Sequence, residues 1–334
     1  MDPVSQGLIG ACFAGAISKK NEFQKASVLG AIGGIIPDID IFIKSNDDPL
    51  LFLEYHRHFT HSFFFVPIGS FFLAGFIFVL LKNFKLSFKR TYIYLTLGFL
   101  SHGILDSCTS YGTNLLWPFY KERISWNLIS IIDPIFTIFL CVFFILFLIK
   151  KKRVFIHLGL LICFSYLGIN YIKKENIKNY IFNLAKKRNH EIERILIKPT
   201  FGNNILWRSI YQSDQAYFID AVFIPFFSVK KDKQGKKIDV IDKNTVFPEI
   251  PIDAIQRKDI IRFSYFSQDY IYLHPDYNNV IADLRYSSLP YDHKSLWGIE
   301  VNPDKYNEHV NFRNFRDFEN KFYKRFLRML RGNF

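Results

Sequence analysis

Long apolar runs dominate the first half of the chain, and segments rich in β-branched and aromatic residues dominate the second. Residues 61–81 (HSFFFVPIGSFFLAGFIFVLL) contain no Asp, Glu, Lys or Arg. They are long enough to cross about 30 Å of hydrocarbon. Residues 129–149 carry one charge, Asp133, near their start, and 91–105 and 154–172 are weaker but still apolar. Two earlier segments, 5–18 and 26–43, are short and rich in Gly and Ala, as suits helices that pack backbone to backbone. This pattern predicts six membrane helices. The first is not a signal peptide, since no Lys or Arg precedes it and no small-residue cleavage site follows.

Lys and Arg in the short loops predict the orientation. Lys19, Lys20 and Lys25, then Lys82, Lys85, Lys89 and Arg90, then Lys150, Lys151, Lys152 and Arg153 fall on one face of a six-helix alternation. That face should be cytoplasmic, leaving loops 44–60 and 108–128, both termini and the C-terminal half outside.

After residue 173 the segments 194–197, 204–211, 216–227, 260–266 and 280–286 read as β-rich. They are bounded by turn formers such as Pro199, Gly202 and Asn278–Asn279. The stretch 230–237 (KKDKQGKK) reads as a solvated hairpin tip rather than a strand. In 312–334, Phe315, Phe318, Phe322, Phe326 and Met329 or Leu330 recur every three or four residues among Arg and Lys. That is a basic amphipathic helix, suited either to anionic headgroups or to packing on its own domain. The expected fold class is therefore a polytopic α-helical membrane domain of about six helices (1–172) plus a C-terminal β-rich soluble domain (173–311), closed by the helix at 312–334.

Composition narrows the classes. Of 334 residues, 49% are hydrophobic and 18% aromatic, yet 22% are charged, so the two kinds must be segregated. That excludes a disordered chain, a collagen-like repeat and a coiled coil. The net charge is +13, of which +8 falls from Lys173 onward. Membrane-flanking cations account for it, so no nucleic acid partner is expected. The four Cys fall in or beside apolar runs without CxxC spacing, and read as small hydrophobes rather than a disulfide framework.

Polar groups inside or beside apolar spans are costly, and here they concentrate. Asp38 and Asp40 follow Pro37, and His56–Arg57–His58–Phe59–Thr60–His61 opens the third apolar run. His102 and Asp106 are four apart on one helix face, and Asp133 precedes Pro134. By the loop charges all of these fall at the outer face. Imidazole and carboxylate without thiolate favour Zn²⁺, Mn²⁺ or Fe²⁺, and more than four ligands point to two ions. The candidate ligands are Asp38, Asp40, His56, His61, His102 and Asp106. Asp40 or Asp133 is the candidate general base and Arg57 the candidate clamp on an anionic substrate group, though Asp133 could equally cap its helix and Arg57 neutralise Asp38 or Asp40. His58 is a weaker ligand candidate. His157, far from the cluster, reads as structural, and His190, His274, His293 and His309 show no metal spacing.

The order MDPVSQGLIGA, IIPDID, HRHFTHS, FLSHGILDSCTSYGTNLLWPF, IIDP resembles the LexA-regulated, membrane-bound metal-dependent hydrolase family (YdjM-like). The later KPTFGNNILWRSIYQSDQAYFID, VIADLRY and LWGIE look like the extracytoplasmic domain of its longer members. The resemblance implies a multi-pass protein of the bacterial inner membrane, related to zinc-dependent phospholipase C and nuclease folds. It carries over Asp38, Asp40, His56, His61, His102 and Asp106, and leaves Asp2 and Gln6 open, because Gln6 stands where many relatives place a His. Together these readings predict a metal-dependent hydrolase at the outer membrane–water interface, acting on a phosphoester or lipid-linked substrate with one or two ions, Zn foremost. The alternative is a non-enzymatic metal-binding membrane protein or transporter.

Overall fold

The computed structural model describes residues 1–80, 85–316 and 320–334. Lys82 of the loop charges and Phe318 of the amphipathic stretch lie outside the described residues. The chain divides into two compact units. One comprises Met1–Phe42, Tyr55–Tyr171 and Phe201–Asn203, the other Ile43–Glu54, Ile172–Thr200 and Asn204–Phe334.

The first unit is helical. Asp2 starts α1 (Pro3–Ile17) by accepting the Ser5 N–H at 3.0 Å, with Pro3 in the first turn. α2 (Phe23–Ile35) passes at Pro37 into a 3₁₀ segment, Ile36–Phe42. A short α3 (Leu51–Tyr55) and a 3₁₀ turn, Phe59–His61, precede α4 (Phe65–Leu80). α5 (Phe88–Ser107) packs against α1, α2 and α4. A Cβ on Gly30 would stand 2.2 Å from the Gly10 carbonyl oxygen, and one on Gly98 equally close to that of Gly30. Only glycine admits such approach, so α1, α2 and α5 meet through their backbones. α6 (Pro134–Lys150) follows, and α7 (Val154–Lys187) supplies residues to both units.

Six membrane spans are not what forms. Among the described residues one helix, Val154–Lys187, is long and apolar enough to cross a bilayer, or two if the pair Leu51–His61 and Phe65–Leu80, bent by 82°, counts as one span. The reason is length. Helices of 15, 13 and 17 residues (α1, α2, α6) rise about 20–26 Å, short of about 30 Å. α5 has 20 residues but carries Lys89, Arg90 and Asp106. The multi-pass alternation falls with this count, and the extracytoplasmic placement of the C-terminal half, which rested on it, loses its basis.

The second unit is built on two antiparallel sheets. β1 (Arg194–Pro199), β2 (Leu206–Ser213), β3 (Ala216–Phe223) and β4 (Lys231–Asp239) lie in chain order in one. After α8 (Ile255–Phe266), β5 (Ile271–Leu273), β6 (Val280–Asp283), β7 (Trp297–Glu300) and β8 (Asn311–Asn314) form the other. Two local expectations fail. Residues 260–266 are helical, because Ile260, Phe263 and Phe266 recur at helical spacing and all are buried. Residues 231–239 form a strand despite their charge: β4 is an edge, where lysines are tolerated and protect against unwanted pairing. α9 (Asn320–Leu330) packs on its own unit, with Met329 buried among Leu206, Ala221 and Leu289 and with Lys324, Arg325 and Arg328 exposed.

Candidate metal centre

Glycine packing sets the site. Where α2 nears its end, the Gly34 carbonyl accepts the His102 Nδ1–H at 2.7 Å, which fixes the tautomer and leaves the Nε2 lone pair pointing away. The next residue on α5, Gly103, lets the His61 backbone approach; a Cβ there would stand 2.5 Å from the His61 carbonyl oxygen. His61 Nε2 thereby comes within 2.8 Å of His102 Nε2. Asp38 Oδ1 lies 3.4 Å from both nitrogens. Asp106 Oδ2 lies 3.3 Å from His61 Nε2 and 3.5 Å from that of His102.

These distances are informative. Four ligands about 2.0–2.1 Å from one ion define a tetrahedron with edges of about 3.3–3.4 Å. Four of the edges fall at 3.3–3.5 Å, and the His–His edge is shorter. Asp38 Oδ1 and Asp106 Oδ2 are also buried atoms that take no well-aligned hydrogen bond. Buried polar atoms are rarely left so, and an ion bound among these donors would satisfy both. The residues therefore fit a divalent cation by geometry and by donor chemistry.

A second group, Asp38, Asp40 and His56, shares Asp38 with the first. His56 Nδ1 lies 2.8 Å from Asp40 Oδ1. Asp40 Oδ2 accepts from the Arg57 N–H at 2.9 Å and the Thr60 hydroxyl at 2.6 Å, and lies 3.2 Å from His61 Nδ1. The side chains of Asp40, His61, His102 and Asp106 are fully enclosed, whereas Asp38 and His56 are 21% and 22% exposed. The open edge of the site is there.

Arg57 adopts a left-handed φ of 65°, a conformation that costs a non-glycine residue roughly 1 kcal/mol or more. It brings Nε within 3.0 Å of Asp106 Oδ2 and Nη1 within 3.0 Å of Thr109 Oγ1. The Met1 amino group also hydrogen-bonds Asp106 Oδ1, and Gln6 Nε2 donates to that oxygen at 2.8 Å. Asp2 caps α1 and Asp133 caps α6, where Asp133 also accepts the Tyr166 hydroxyl at 3.0 Å; neither joins the two groups. His157 is exposed.

A sequence profile of the YdjM inner membrane protein family matches residues 1–177, just over half of the chain. The chain belongs to the YdjM inner membrane protein family. It is 26% identical over 189 residues to YfhP of Bacillus subtilis (strain 168), covering 56% of this chain and 55% of YfhP. The chain thus spans about half the length of that relative. It is 27% identical over 135 residues to inner membrane protein YbcI of Escherichia coli (strain K12), covering 38% of this chain and 75% of YbcI. No solved structure matches. Both candidate groups lie inside the YdjM segment, so membrane residence and a His/Asp centre able to hold a metal ion belong to the same part of the chain.

Tyr111 falls within the family-like stretch 99–119 but has no role assigned there, and Arg123 lies outside every motif that carries the resemblance; what places them beside the centre is the folding of their loop. A third group, Asp48, Asp259 and His309, belongs to the second unit, where no metal spacing was expected. Arg262 bonds both Asp48 oxygens there and Asp259 Oδ1 as well, so a guanidinium already offsets part of that charge.

Proposed function

We propose that this YdjM-family chain is a metal-dependent hydrolase of phosphoesters, lipid-linked ones foremost, with one ion held by Asp38, His61, His102 and Asp106 and a second by Asp38, Asp40 and His56. The tetrahedral spacing of the first four donors carries the reading. Zinc suits imidazole and carboxylate ligands at that spacing. Ions bound here would supply Lewis acidity and lower the pKa of water toward about 7. The chain's own residues do the rest. Asp40, held by Thr60 and the Arg57 N–H, orients His56 and His61. Gly34 orients His102, and Arg57 offsets the charge of Asp106. The exposed edge at Asp38 and His56 gives substrate its entry.

The lipid-linked class is supported by what surrounds that edge. Ile39, Ile41 and Phe42 alternate with or follow the two aspartates and are exposed, Phe42 by 72%, as is Phe64 beyond His61. In a membrane protein such residues suit acyl chains flanking a headgroup-level site. The test is hydrolysis of phosphatidic acid and of a soluble aryl phosphate by protein in nanodiscs, before and after chelation. Metal-dependent turnover that disappears in Asp38→Asn is the expected result. Full metal loading with no turnover of either substrate would favour a metal-binding role without catalysis.

A further inference from the structure

Two guanidinium groups converge on one ring beside the open edge of the metal centre. The Arg57 carbon lies 4.8 Å from the Tyr111 centroid and the Arg123 carbon 5.3 Å from it. Both arginines are buried, at 3% and 6% exposure, and the His56 ring meets Tyr111 edge-on at 5.4 Å. Arg123 is tied to the centre, since its Nη2 donates to the His56 carbonyl at 3.0 Å. Its neighbour Ile124 pairs with Thr113, and the Asn114 N–H donates to the Arg57 carbonyl at 3.0 Å. One loop therefore carries Tyr111 and Arg123 and also clamps the strained Arg57.

We propose that Arg123, with Arg57 and Tyr111, forms an anion subsite that receives the phosphate group of the substrate next to the ligands Asp38 and His56. Stacking on an aromatic ring holds a guanidinium plane while leaving its N–H edge for bonding, and planar, bidentate binding of phosphate oxygens is what arginine does best. Arg57 is already paired with Asp106, and a phosphate group at the ring would add charge-assisted hydrogen bonds to Arg123 while sharing Arg57. The reaction as proposed needs such a group, because the metals alone do not select a phosphoester from other esters. Arg123 is assigned a binding role, and Arg57, already paired with Asp106, a shared one.

This inference rests on the hydrolase reading for the identity of its ligand, but its test does not need a metal. Binding of inorganic phosphate to the full chain in phosphatidylcholine nanodiscs is measured after chelation and again after reloading with zinc. Wild type should bind phosphate in both states. Arg123→Met should weaken binding at least tenfold in both without changing metal content, and Arg123→Lys should recover part of the loss. Should Arg123→Met not fold, Tyr111→Leu serves, with the same expected weakening. Replacing phosphatidylcholine with phosphatidylglycerol reports the source. Suppressed phosphate binding in wild type identifies a headgroup, unchanged binding a soluble phosphoester, and either sustains the subsite. Failure of wild type to bind phosphate, or equal binding by Arg123→Met, overturns it. Loss of metal binding with an intact Arg123 effect would instead count against the metal centre alone.

Discussion

His102 illustrates how one side chain is committed by its neighbours. With Nδ1 donating to the Gly34 carbonyl, the neutral imidazole offers Nε2 as an acceptor, and that nitrogen faces His61 Nε2 and two carboxylate oxygens. Such a set repels itself unless protons or a cation intervene. Gly103 is the residue that permits it, so Gly103→Ala should push His61 away and weaken metal affinity about 10–100-fold, read by competition with a chelating dye. Asp133 is a contrasting case. As the cap of α6 and partner of Tyr166 it should cost about 2 kcal/mol of stability when changed to Ala, with metal content unchanged. Loss of metal in Asp133→Ala would contradict the capping role. In the second unit, Lys198 is buried with its amine 3.4 Å from the Tyr286 centroid. Burial first, then Arg208 and Arg285, pushes its ammonium well below the ordinary lysine range. A lysine so depressed opposes folding while it must be charged in the unfolded chain, that is, below about pH 10, and relents as pH rises. Lys198→Met should therefore leave thermal stability at pH 7 unchanged or raised.

At the scale of elements, glycine stripes on α1, α2 and α5 decide the architecture. Gly30→Ala would drive a methyl group into the Gly10 carbonyl and should destabilise by about 1–3 kcal/mol, measured by unfolding in detergent. These stripes are legible in the sequence as short Gly/Ala-rich helices, and so are the donors they gather. Pro37 turns the chain where Asp38 and Asp40 stand, and the spacing of His102 and Asp106 puts both on one face of α5. Their depth was read from loop charges on an alternation that does not form; what brings them together is helix packing. Length was the missed quantity: apolar composition runs through residues 129–149, but the helix there begins only at Pro134 and stops after 17 residues. Patterning misled at α8, where a β-branched and aromatic run is also periodic at 3–4 residues, and at β4, where edge position overrides composition. Arg123 was beyond reach because its meaning comes from Tyr111 and His56, which no spacing rule joins to it.

For the molecule as a whole, one chain combines a YdjM-type helical unit, which carries the His/Asp centre, with a β-sheet unit that carries none of its candidate ligands. Membrane residence follows from the family, and one long apolar helix, α7, has the length to span a bilayer. The central claim is that Asp38, His61, His102 and Asp106 hold an ion. It is tested most directly by the metal content of purified full-length protein, measured by inductively coupled plasma mass spectrometry for wild type, His102→Ala and His157→Ala. The account predicts one to two equivalents of a divalent metal in wild type and in His157→Ala, and loss of at least one equivalent in a folded His102→Ala. Equal metal in all three, or none in wild type after exposure to zinc, would contradict it.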